Sequence, residues 1–490
     1  MAHIPLEFAN GFYKSNVSTF SSQRCINMTP IAAENQAYGP VALFSVSGVT
    51  AIVPPPSLAG VSRGMTTMGG LLYVVNGDTL YRIDEDYTVN ILGTITGSGI
   101  VSMANNNTKL CVVVPNGDAY VYDAGTSTFT QITSLDYFPS SMVVFKDGYY
   151  VFSASDGTKF FNSAINDPLT FNAISFGSAE INPDLITGLV VNHNQLYVTG
   201  EDSIELFATT GGSGFPFQRV QGGSSQKGVY SPYSTINFNN DWVFVGGGYN
   251  ERASIWAMNS SSQIYNISTD TIDSQIKNFT REEIKNKCYS VTYSEANQRL
   301  VAFTFIAENQ RVPSITLVYN STASEKLGKR IWFERQTGYE GASWRVNNIQ
   351  EAYGLLITGD ITDSHLGFLD RSSQLEFNDP MVKEFSTMPF SNLDYSMFFG
   401  MLELTCQTGV GLNEGLGEDP YVYMSFSDDG GNTFNTPMGR PLGKIGEYTK
   451  RIQWRRQGRT PQDRCLKFKT TDPVLFNVIG LTTVVTGGTQ

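Results

Sequence analysis

Residues 73–81 read YVVNGDTLY, two short runs of β-prone residues on either side of an Asn-Gly pair. An Asn-Gly pair between such runs is a strong local signal for a β-hairpin, because both residues tolerate the positive φ angles that a tight turn needs. The pattern returns at 113–121 as VVPNGDAYV, and again around an Asp-Gly pair in the β-prone segment 150–161. Three turn glycines at intervals of forty residues therefore mark a repeat: Gly77, Gly117 and Gly157.

A hairpin repeat of about forty residues is typical of a β-propeller, in which each repeat forms one four-stranded blade. Further β-prone runs as far as residue 369 allow either six or seven blades, because a terminal unit can be incomplete or closed by an N-terminal strand. Beyond residue 375 the strands become longer and alternate, which predicts a β-sandwich. We therefore predict an all-β chain with irregular N-terminal strands at 1–47, a β-propeller at 48–374 and a C-terminal β-sandwich-like domain at 375–490.

Smaller elements are also predicted. Residues 16–20 and 24–28 are possible strands before the first blade. Two short helices are predicted at 272–279 and 280–285. The second would begin with a capping box, because Thr280 and Glu283 have the Ser/Thr-x-x-Glu spacing that satisfies free helix amides.

The composition excludes several classes of protein. With 33 basic and 45 acidic residues, the chain has a net charge of −12 and does not attract nucleic acid as a whole. Three histidines and five scattered cysteines make a histidine-based nucleophile or a metal site hard to assemble. The sequence has neither a signal peptide pattern nor eighteen consecutive apolar residues. We expect synthesis in a reducing cytoplasm, no cofactor and no membrane insertion.

Residues 427–434, SDDGGNTF, match the Asp-box motif that occurs on hairpin turns of sialidase-like propellers. Its polar side chains bond to nearby backbone amides and so brace the turn. The predicted turn-bracing residues are Ser427, Asp429, Gly431 and Thr433. A carbohydrate-active enzyme is the alternative, but the spacing assigns neither the arginine cluster nor the Tyr-Glu pair of a sialidase.

The charge is unevenly distributed. Ten basic and two acidic residues give 440–469 a net charge of +8, and the remaining chain carries −12 − 8 = −20. In 451–456, RIQWRR, strand alternation puts Arg451 and Arg455 on the face opposite Ile452 and Trp454. We predict that residues 440–469 present a basic surface to a partner or to DNA, formed by Arg451, Arg455, Arg456, Arg459, Arg464 and Lys467. The alternative is a solvated edge strand that charge protects from aggregation.

Six short segments, in the same order along nearly the whole chain, carry a resemblance to a known family. They are RCINMTP at 24–30, FSVSGVT at 44–50, GVSRG at 60–64, GSGIVSMA at 97–104, QKGV at 226–229 and WRRQGR at 454–459. The chain resembles the tail nozzle proteins of short-tailed phages of enteric bacteria. That family is also called packaged DNA stabilisation protein or tail accessory factor.

The resemblance implies a non-enzymatic structural protein of the virion tail, made in the host cytoplasm. It implies a homohexameric ring below the portal and its adaptor, or head-completion protein. Such a ring would retain packaged DNA, provide its exit channel and carry the tail needle or plug, with tailspikes or fibres nearby. The uneven charge agrees with a ring built from two different faces, and an acidic lumen would let DNA slide. A receptor-binding or glycan-binding tail component is the second alternative.

Overall fold

The computed structural model describes residues 3–14, 21–33, 39–52, 58–115, 117–179, 182, 184–211, 214–308, 312–391 and 396–487. The possible strand at 16–20 and Asn116 of the second hairpin lie outside these residues. Within them the regular secondary structure is almost entirely β-strand. No helix in the described part is both long and apolar enough to cross a bilayer.

Seven short strands precede the first blade. They are β1 (His3–Pro5), β2 (Tyr13–Lys14), β3 (Ser22–Gln23), β4 (Cys25–Ile26), β5 (Met28–Ala32), β6 (Val41–Ser45) and β7 (Gly48–Ala51). Strands β2 and β3 pair only with each other, and the others join sheets that are built mainly from distant parts of the chain.

Four antiparallel blades follow in order. Blade 1 contains β8 (Ser62–Met68), β9 (Leu71–Asn76), β10 (Thr79–Ile83) and β11 (Val89–Thr94). Blade 2 contains β12 (Ser102–Asn105), β13 (Lys109–Val113), β14 (Ala119–Asp123) and β15 (Thr128–Gln131). Blade 3 contains β16 (Ser140–Lys146), β17 (Tyr149–Ala154), β18 (Phe160–Ala164) and β19 (Asp167–Gly177). Blade 4 contains β20 (Ile186–Asn192), β21 (Gln195–Gly200), β22 (Ile204–Thr209) and β23 (Phe217–Ser225).

The remaining blades are less regular. Blade 5 contains β24 (Gly228–Val229), a short 3-10 helix (Pro232–Ser234), β25 (Ile236–Phe238), β26 (Asp241–Gly247), β27 (Ser254–Met258) and β28 (Ile264–Asn266). Blade 6 contains β29 (Tyr289–Glu295), β30 (Gln298–Phe305), β31 (Ile315–Asn320) and β32 (Trp332–Thr337), with β33 (Ala342–Ser343) beside β32. Blade 7 contains β34 (Val346–Ala352), β35 (Leu355–Asp360) and β36 (Leu366–Asp370).

The predicted hairpin at 73–81 is formed by β9 and β10. Its loop is Gly77-Asp78, one residue later than predicted, and Gly77 has a φ of 51°. Alternate residues of β9 face opposite neighbours, because Val74 packs with blade 7 and Val75 with blade 2. Burial on both faces explains why the strand is continuously apolar rather than alternating.

The propeller has seven blades, the larger of the two predicted numbers. The N-terminal strand β7 provides the fourth strand of blade 7 by pairing antiparallel with β36, and the later segment Leu375–Glu376 pairs in parallel with the other edge of β7. The Thr50 hydroxyl also donates a hydrogen bond to Asp370 Oδ2 at 2.9 Å. The first and last parts of the propeller are thereby held in one sheet, which closes the disc.

Ten strands follow the propeller. They are β37 (Leu375–Glu376), β38 (Asp379–Pro380), β39 (Lys383–Ser386), β40 (Phe390–Ser391), β41 (Met397–Cys406), β42 (Tyr421–Ser427), β43 (Met438–Pro441), β44 (Ile452–Thr460), β45 (Asp463–Thr470) and β46 (Val478–Gly487).

Two packed sheets form the C-terminal β-sandwich. The first has the order β44-β41-β46-β6-β5, with β1 also on β46, and the second has the order β4-β39-β45-β42-β43. Phe385 and Phe468 stack in the core with ring centroids 4.9 Å apart. N-terminal strands therefore complete both sheets. The boundaries predicted at residues 48 and 375 stay a prediction.

Strand β4 also joins the sandwich to the propeller. It pairs in parallel with β32 of blade 6, with Ile26 opposite Glu334. The Arg24 guanidinium donates two hydrogen bonds to the Glu334 carboxylate, at 2.8 and 2.7 Å. One continuous hydrogen-bonded sheet therefore crosses from blade 6 into the sandwich.

The described residues contain three short α-helices: α1 (Asp270–Ile276), α2 (Arg281–Lys287) and α3 (Ser321–Leu327). The first two correspond to the predicted helices, and the capping box of Thr280 and Glu283 is formed. Helix α3 was not predicted. It begins where the Asn320 side chain accepts a hydrogen bond from the Ala323 amide.

Candidate partner-binding surface

Strand β44 lies at the edge of the first sandwich sheet and contains three of the six predicted basic residues, Arg455, Arg456 and Arg459, with Arg451 immediately before it. It pairs with β41. Ile452 and Trp454 are buried in the core, whereas Arg455 is exposed on the opposite face. The alternation predicted for this segment is therefore present, because each inward residue packs between the two sheets.

A β-bulge interrupts this alternation at Arg456. The pairing register with β41 shifts between Arg455 and Gly458, so that β44 has one extra residue there. Arg456 adopts a φ of 58°, in the left-handed region that costs a non-glycine residue roughly 1 to 2 kcal/mol. The bulge leaves the consecutive residues Arg455 and Arg456 both exposed.

Arg451 belongs to the same face but is neutralised within the chain. Its guanidinium donates two hydrogen bonds to the Glu403 carboxylate of β41, at 2.8 and 2.7 Å. Glu403 raises the pKa of Arg451 through this pairing. Arg451 therefore offers less free charge to a partner than its exposure suggests.

The prediction that Arg464 belongs to a basic surface is wrong. Its side chain is 1% exposed and donates two hydrogen bonds to the Asp428 carboxylate, at 2.6 and 2.7 Å. It also donates to the Gln457 carbonyl of β44 at 2.7 Å. The guanidinium lies 4.0 Å from the Phe426 ring centroid. Arg464 is thus a buried link between the second sheet, the Asp-box turn and the bulged strand.

The sequence contains a signal that Arg464 is buried. Arg464 has the same strand parity as Leu466 and Phe468, and all three are buried on β45. The other parity contains Lys467, which is half-buried with its ammonium 4.1 Å from the Phe434 ring centroid. Lys467 lies in the second sheet, so the structure does not bring it together with the arginines of β44.

The Asp-box residues form a tightly bonded turn after β42. Ser427 donates to Asp429 Oδ1 at 2.6 Å and accepts a hydrogen bond from the Gly431 amide at 2.8 Å. Asp429 also accepts hydrogen bonds from the amide and the hydroxyl of Thr433. The bonds from Ser427 and Thr433 lower the pKa of Asp429 to about 2. Asp428, which lies between Ser427 and Asp429 in the sequence, forms the ion pair with buried Arg464.

Three exposed arginines remain, which we call the arginine patch: Arg455, Arg456 and Arg459. In the described part of the chain none of them has a carboxylate within 4 Å, and Arg455 bonds to the Gln453 amide oxygen at 3.1 Å. Phe398 of β41 lies beside Arg459, at 5.9 Å, and is 45% exposed. Exposure of Phe398 could not be predicted from the sequence, because its neighbours Met397 and Phe399 are also apolar.

The composition of this surface suits binding. Arginine beside an exposed aromatic ring is typical of the residues that dominate protein interfaces. Within the described residues no group of three or more His, Cys, Asp or Glu side chains could hold a metal ion. The arrangement can therefore attract and orient an anionic surface.

We expect Arg464→Met to lower the free energy of unfolding by about 2 to 3 kcal/mol, because it leaves Asp428 and the Gln457 carbonyl without their donor. Urea unfolding would measure the loss. The matched control, Arg455→Met, removes an exposed arginine that has no ion pair and should change stability by less than about 0.5 kcal/mol. Equal stability of the two variants would contradict the role of Arg464 as a buried link.

Comparisons with known proteins agree with the architecture. A family model described as the bacteriophage P22 Gp10 β-propeller matches residues 2–374. A second, described as the bacteriophage P22 Gp10 β-sandwich, matches residues 384–486. No curated protein sequence matches the chain significantly.

Several solved structures are also similar. A chain of the Mitotic Checkpoint Complex is 11% identical with a TM-score of 0.40, covering 70% of this chain and 98% of that chain. The N-terminal domain of Nup159 is 14% identical with a TM-score of 0.41, covering 71% of this chain and 99% of that chain. The Myceliophteria thermophila Cps50 (Swd1) β-propeller domain is 10% identical with a TM-score of 0.40, covering 66% and 99%.

The two family matches together span both domains and confirm the resemblance found in the sequence. The chain therefore belongs to the bacteriophage P22 Gp10 family, whose members are structural phage tail proteins that stabilise packaged DNA.

Proposed function

We propose that this chain is the nozzle subunit of a phage tail. Six copies form a ring below the portal and its adaptor, retain the packaged DNA and provide its exit channel. The ring carries the needle or plug, with tailspikes or fibres attached nearby. The family membership and the two chemically different domains support this proposal, since a ring of head-to-tail contacts needs two different faces on each subunit.

DNA would pass through the bore between subunits and not along the axis of a propeller. Arg63 of blade 1 is 5% exposed and donates hydrogen bonds to the Gly77 and Gly99 carbonyls, both at 2.8 Å. Burial raises the pKa of Tyr233 in blade 5, and Arg63 opposes this rise. The Arg63 side chain therefore fills space inside the propeller and does not face an open channel. Burial of this side chain supports a DNA path outside the propeller, in the bore of the ring.

The observation that carries the proposal is the arginine patch on a molecule that is otherwise acidic. Residues 440–469 have a net charge of +8 against −20 for the remainder. We propose that the patch binds an acidic surface of the portal adaptor, while acidic parts of the chain line the bore. Repulsion between these acidic parts and the phosphates would let DNA move without salt-dependent contacts.

Three simultaneous substitutions test the proposal: Arg455→Gln, Arg456→Gln and Arg459→Gln. We expect binding to the portal–adaptor complex to weaken at least about tenfold, because losing even 1.4 kcal/mol of charged contacts has that effect. Negative-stain images would show whether the ring itself is retained. A matched control removes three exposed charges of the propeller: Arg252→Gln, Lys277→Gln and Arg371→Gln.

Binding to a short DNA duplex at several salt concentrations separates the two possible partners. If wild type bound DNA tightly and the triple variant reduced the salt dependence by about 0.9 per lost phosphate contact, the patch would face DNA instead. If wild type formed no closed ring with the portal and adaptor, the nozzle proposal would be rejected.

A further inference from the structure

The outer edge of blade 3 exposes apolar side chains on a long strand. Strand β19 has eleven residues and pairs only with β18 in the described part of the chain. We call Leu169, Ile174 and Phe176 the blade-3 edge, and all three are exposed, with Ile174 at 79%. Exposed apolar residues clustered on an edge strand mark an interaction surface.

This edge lacks the usual protection. The segment DPLTFNAISFG contains one charged residue, Asp167, whereas edge strands are normally protected by charged side chains. Within the same propeller the outer edges of blades 6 and 7 are covered, because β4 pairs with β32 and β37 pairs with β7. The described residues of a single copy provide no such strand for β19.

A second apolar surface lies at the end of the sandwich. Two neighbouring loops expose Leu412, Leu416, Ile445 and Tyr448, which we call the sandwich-end surface, and Tyr448 is 71% exposed. Backbone hydrogen bonds hold the loops together, from the Gly409 amide to the Leu442 carbonyl and from the Gly411 amide to the Gly443 carbonyl, both at 3.2 Å. The four side chains therefore belong to one region.

The two surfaces have opposite charge at their margins. Lys159 lies 3.6 Å from the Phe138 ring centroid and 5.3 Å from that of Phe176, and no described carboxylate lies within 4 Å of its ammonium. Beside the sandwich-end surface, Glu414 and Asp419 are exposed and form no ion pair with the described residues. Contact of either surface with its own copy would bring like charges together, whereas contact between the two surfaces pairs opposite charges.

We propose that the blade-3 edge of one copy packs on the sandwich-end surface of the next copy, so that repetition of this contact closes the ring. This inference rests on the proposed nozzle function and names its subunit interface. Two different apolar surfaces on different domains of one chain are what a head-to-tail contact requires, because a symmetric dimer would use a single self-complementary surface.

The experiment uses two double variants of the full chain. The first, Ile174→Asp with Phe176→Asp, disables the blade-3 edge. The second, Leu416→Asp with Ile445→Asp, disables the sandwich-end surface. We expect each variant alone to be monomeric at concentrations where wild type is a ring, a loss of at least about tenfold in assembly. Native mass spectrometry and sedimentation would measure it, with circular dichroism to confirm folding.

Mixing the two variants gives the decisive result. Each keeps the surface that the other lacks, so an equimolar mixture should form a dimer of one copy of each and nothing larger. The matched control, Ile91→Asp with Tyr249→Asp, changes two side chains that are equally exposed elsewhere on the propeller. It should assemble as wild type does.

Charge exchange provides a second test with little risk to folding. Lys159→Glu alone should reduce assembly several-fold, and combining it with Glu414→Lys and Asp419→Lys should restore assembly.

Four outcomes would overturn the inference. If both double variants still formed rings, or if their mixture formed no dimer, this contact would be wrong although the ring would stand. The contact would also be wrong if the double variants still assembled and lost only the binding of another tail protein. If wild type stayed monomeric even with the portal and adaptor, the proposed nozzle function would fail and this interface with it.

Discussion

Replacing Arg335 with Met should lower the free energy of unfolding by about 4 kcal/mol, because it leaves buried carboxylates without their cation. Arg335 of β32 is completely buried and its guanidinium lies 3.4 Å from Glu376 Oε1. It also donates to the Ser47 carbonyl at 2.7 Å and lies 3.9 Å from the Trp344 ring centroid. Ser47 immediately precedes β7, so Arg335 connects blade 6 with the strand that closes the propeller.

Two buried carboxylates surround this arginine. Burial raises the pKa of Glu376 and of Glu295, and Arg335 opposes both rises. Glu295 accepts a hydrogen bond from the Ser47 amide at 2.5 Å. Without Arg335, either the carboxylates take up protons or they remain charged in a dry environment, and both results favour unfolding.

Urea unfolding of Arg335→Met and of Arg299→Met would measure this difference. Arg299 forms an ion pair with Glu325 in which both side chains are about half exposed, so its loss should cost less than about 1 kcal/mol. Adding Glu376→Gln to Arg335→Met should recover part of the stability, because it removes one buried charge. If Arg335→Met lost no more stability than Arg299→Met, the buried contacts of Arg335 would not stabilise the closed propeller.

The sequence predicts those parts of the fold that repeat locally. The hairpins of blades 1 to 3 are visible because β-prone runs and turn residues recur within forty residues. Closure by β7 depends on pairing between Thr50 and residues near Asp370. No local sequence pattern can predict a contact between residues that lie 320 positions apart in the chain. For the same reason the sequence could not show that β4 links blade 6 to the sandwich, since Ile26 of β4 lies far in the chain from both of its partners, Glu334 and Glu384.

The sequence predicts that the candidate site is basic, but it does not predict which of its arginines form ion pairs within the chain. Arg455 and Arg464 belong to one basic segment, yet one is exposed and the other is a buried link to Asp428. Strand parity could have separated them, whereas the neutralisation of Arg451 by Glu403 depends on which strand lies beside β44. Local net charge therefore overstates the free charge of a surface whenever neighbouring strands supply carboxylates.

Lys383 should make the stability of the protein depend on pH above neutrality. It is fully buried on β39, and its ammonium donates to the Val474 carbonyl at 2.9 Å and to the Asp472 carbonyl at 3.3 Å. Burial lowers the pKa of Lys383 from 10.5 to about 7, and Asp472 only partly opposes this. The folded chain therefore loses this proton near pH 7, whereas the unfolded chain keeps it up to about pH 10.5.

The sign follows from the protons bound in each state. Below pH 7 both states carry the proton and Lys383 adds no pH dependence. Between pH 7 and 10.5 only the unfolded state carries it, so raising the pH favours the folded state. The unfolding free energy of wild type relative to Lys383→Met should rise by up to about 1.4 kcal/mol per pH unit in this window.

Urea unfolding of both proteins at pH 6, 7, 8 and 9 tests this prediction. Taking the difference between wild type and Lys383→Met removes the titration of groups that the two share. Lys277→Met is the matched control, because Lys277 is exposed after α1 and its loss should leave the pH profile parallel to that of wild type. Parallel profiles for Lys383→Met as well would mean that Lys383 keeps its proton in the folded sandwich, with the loop carbonyls of Asp472 and Val474 solvating the charge.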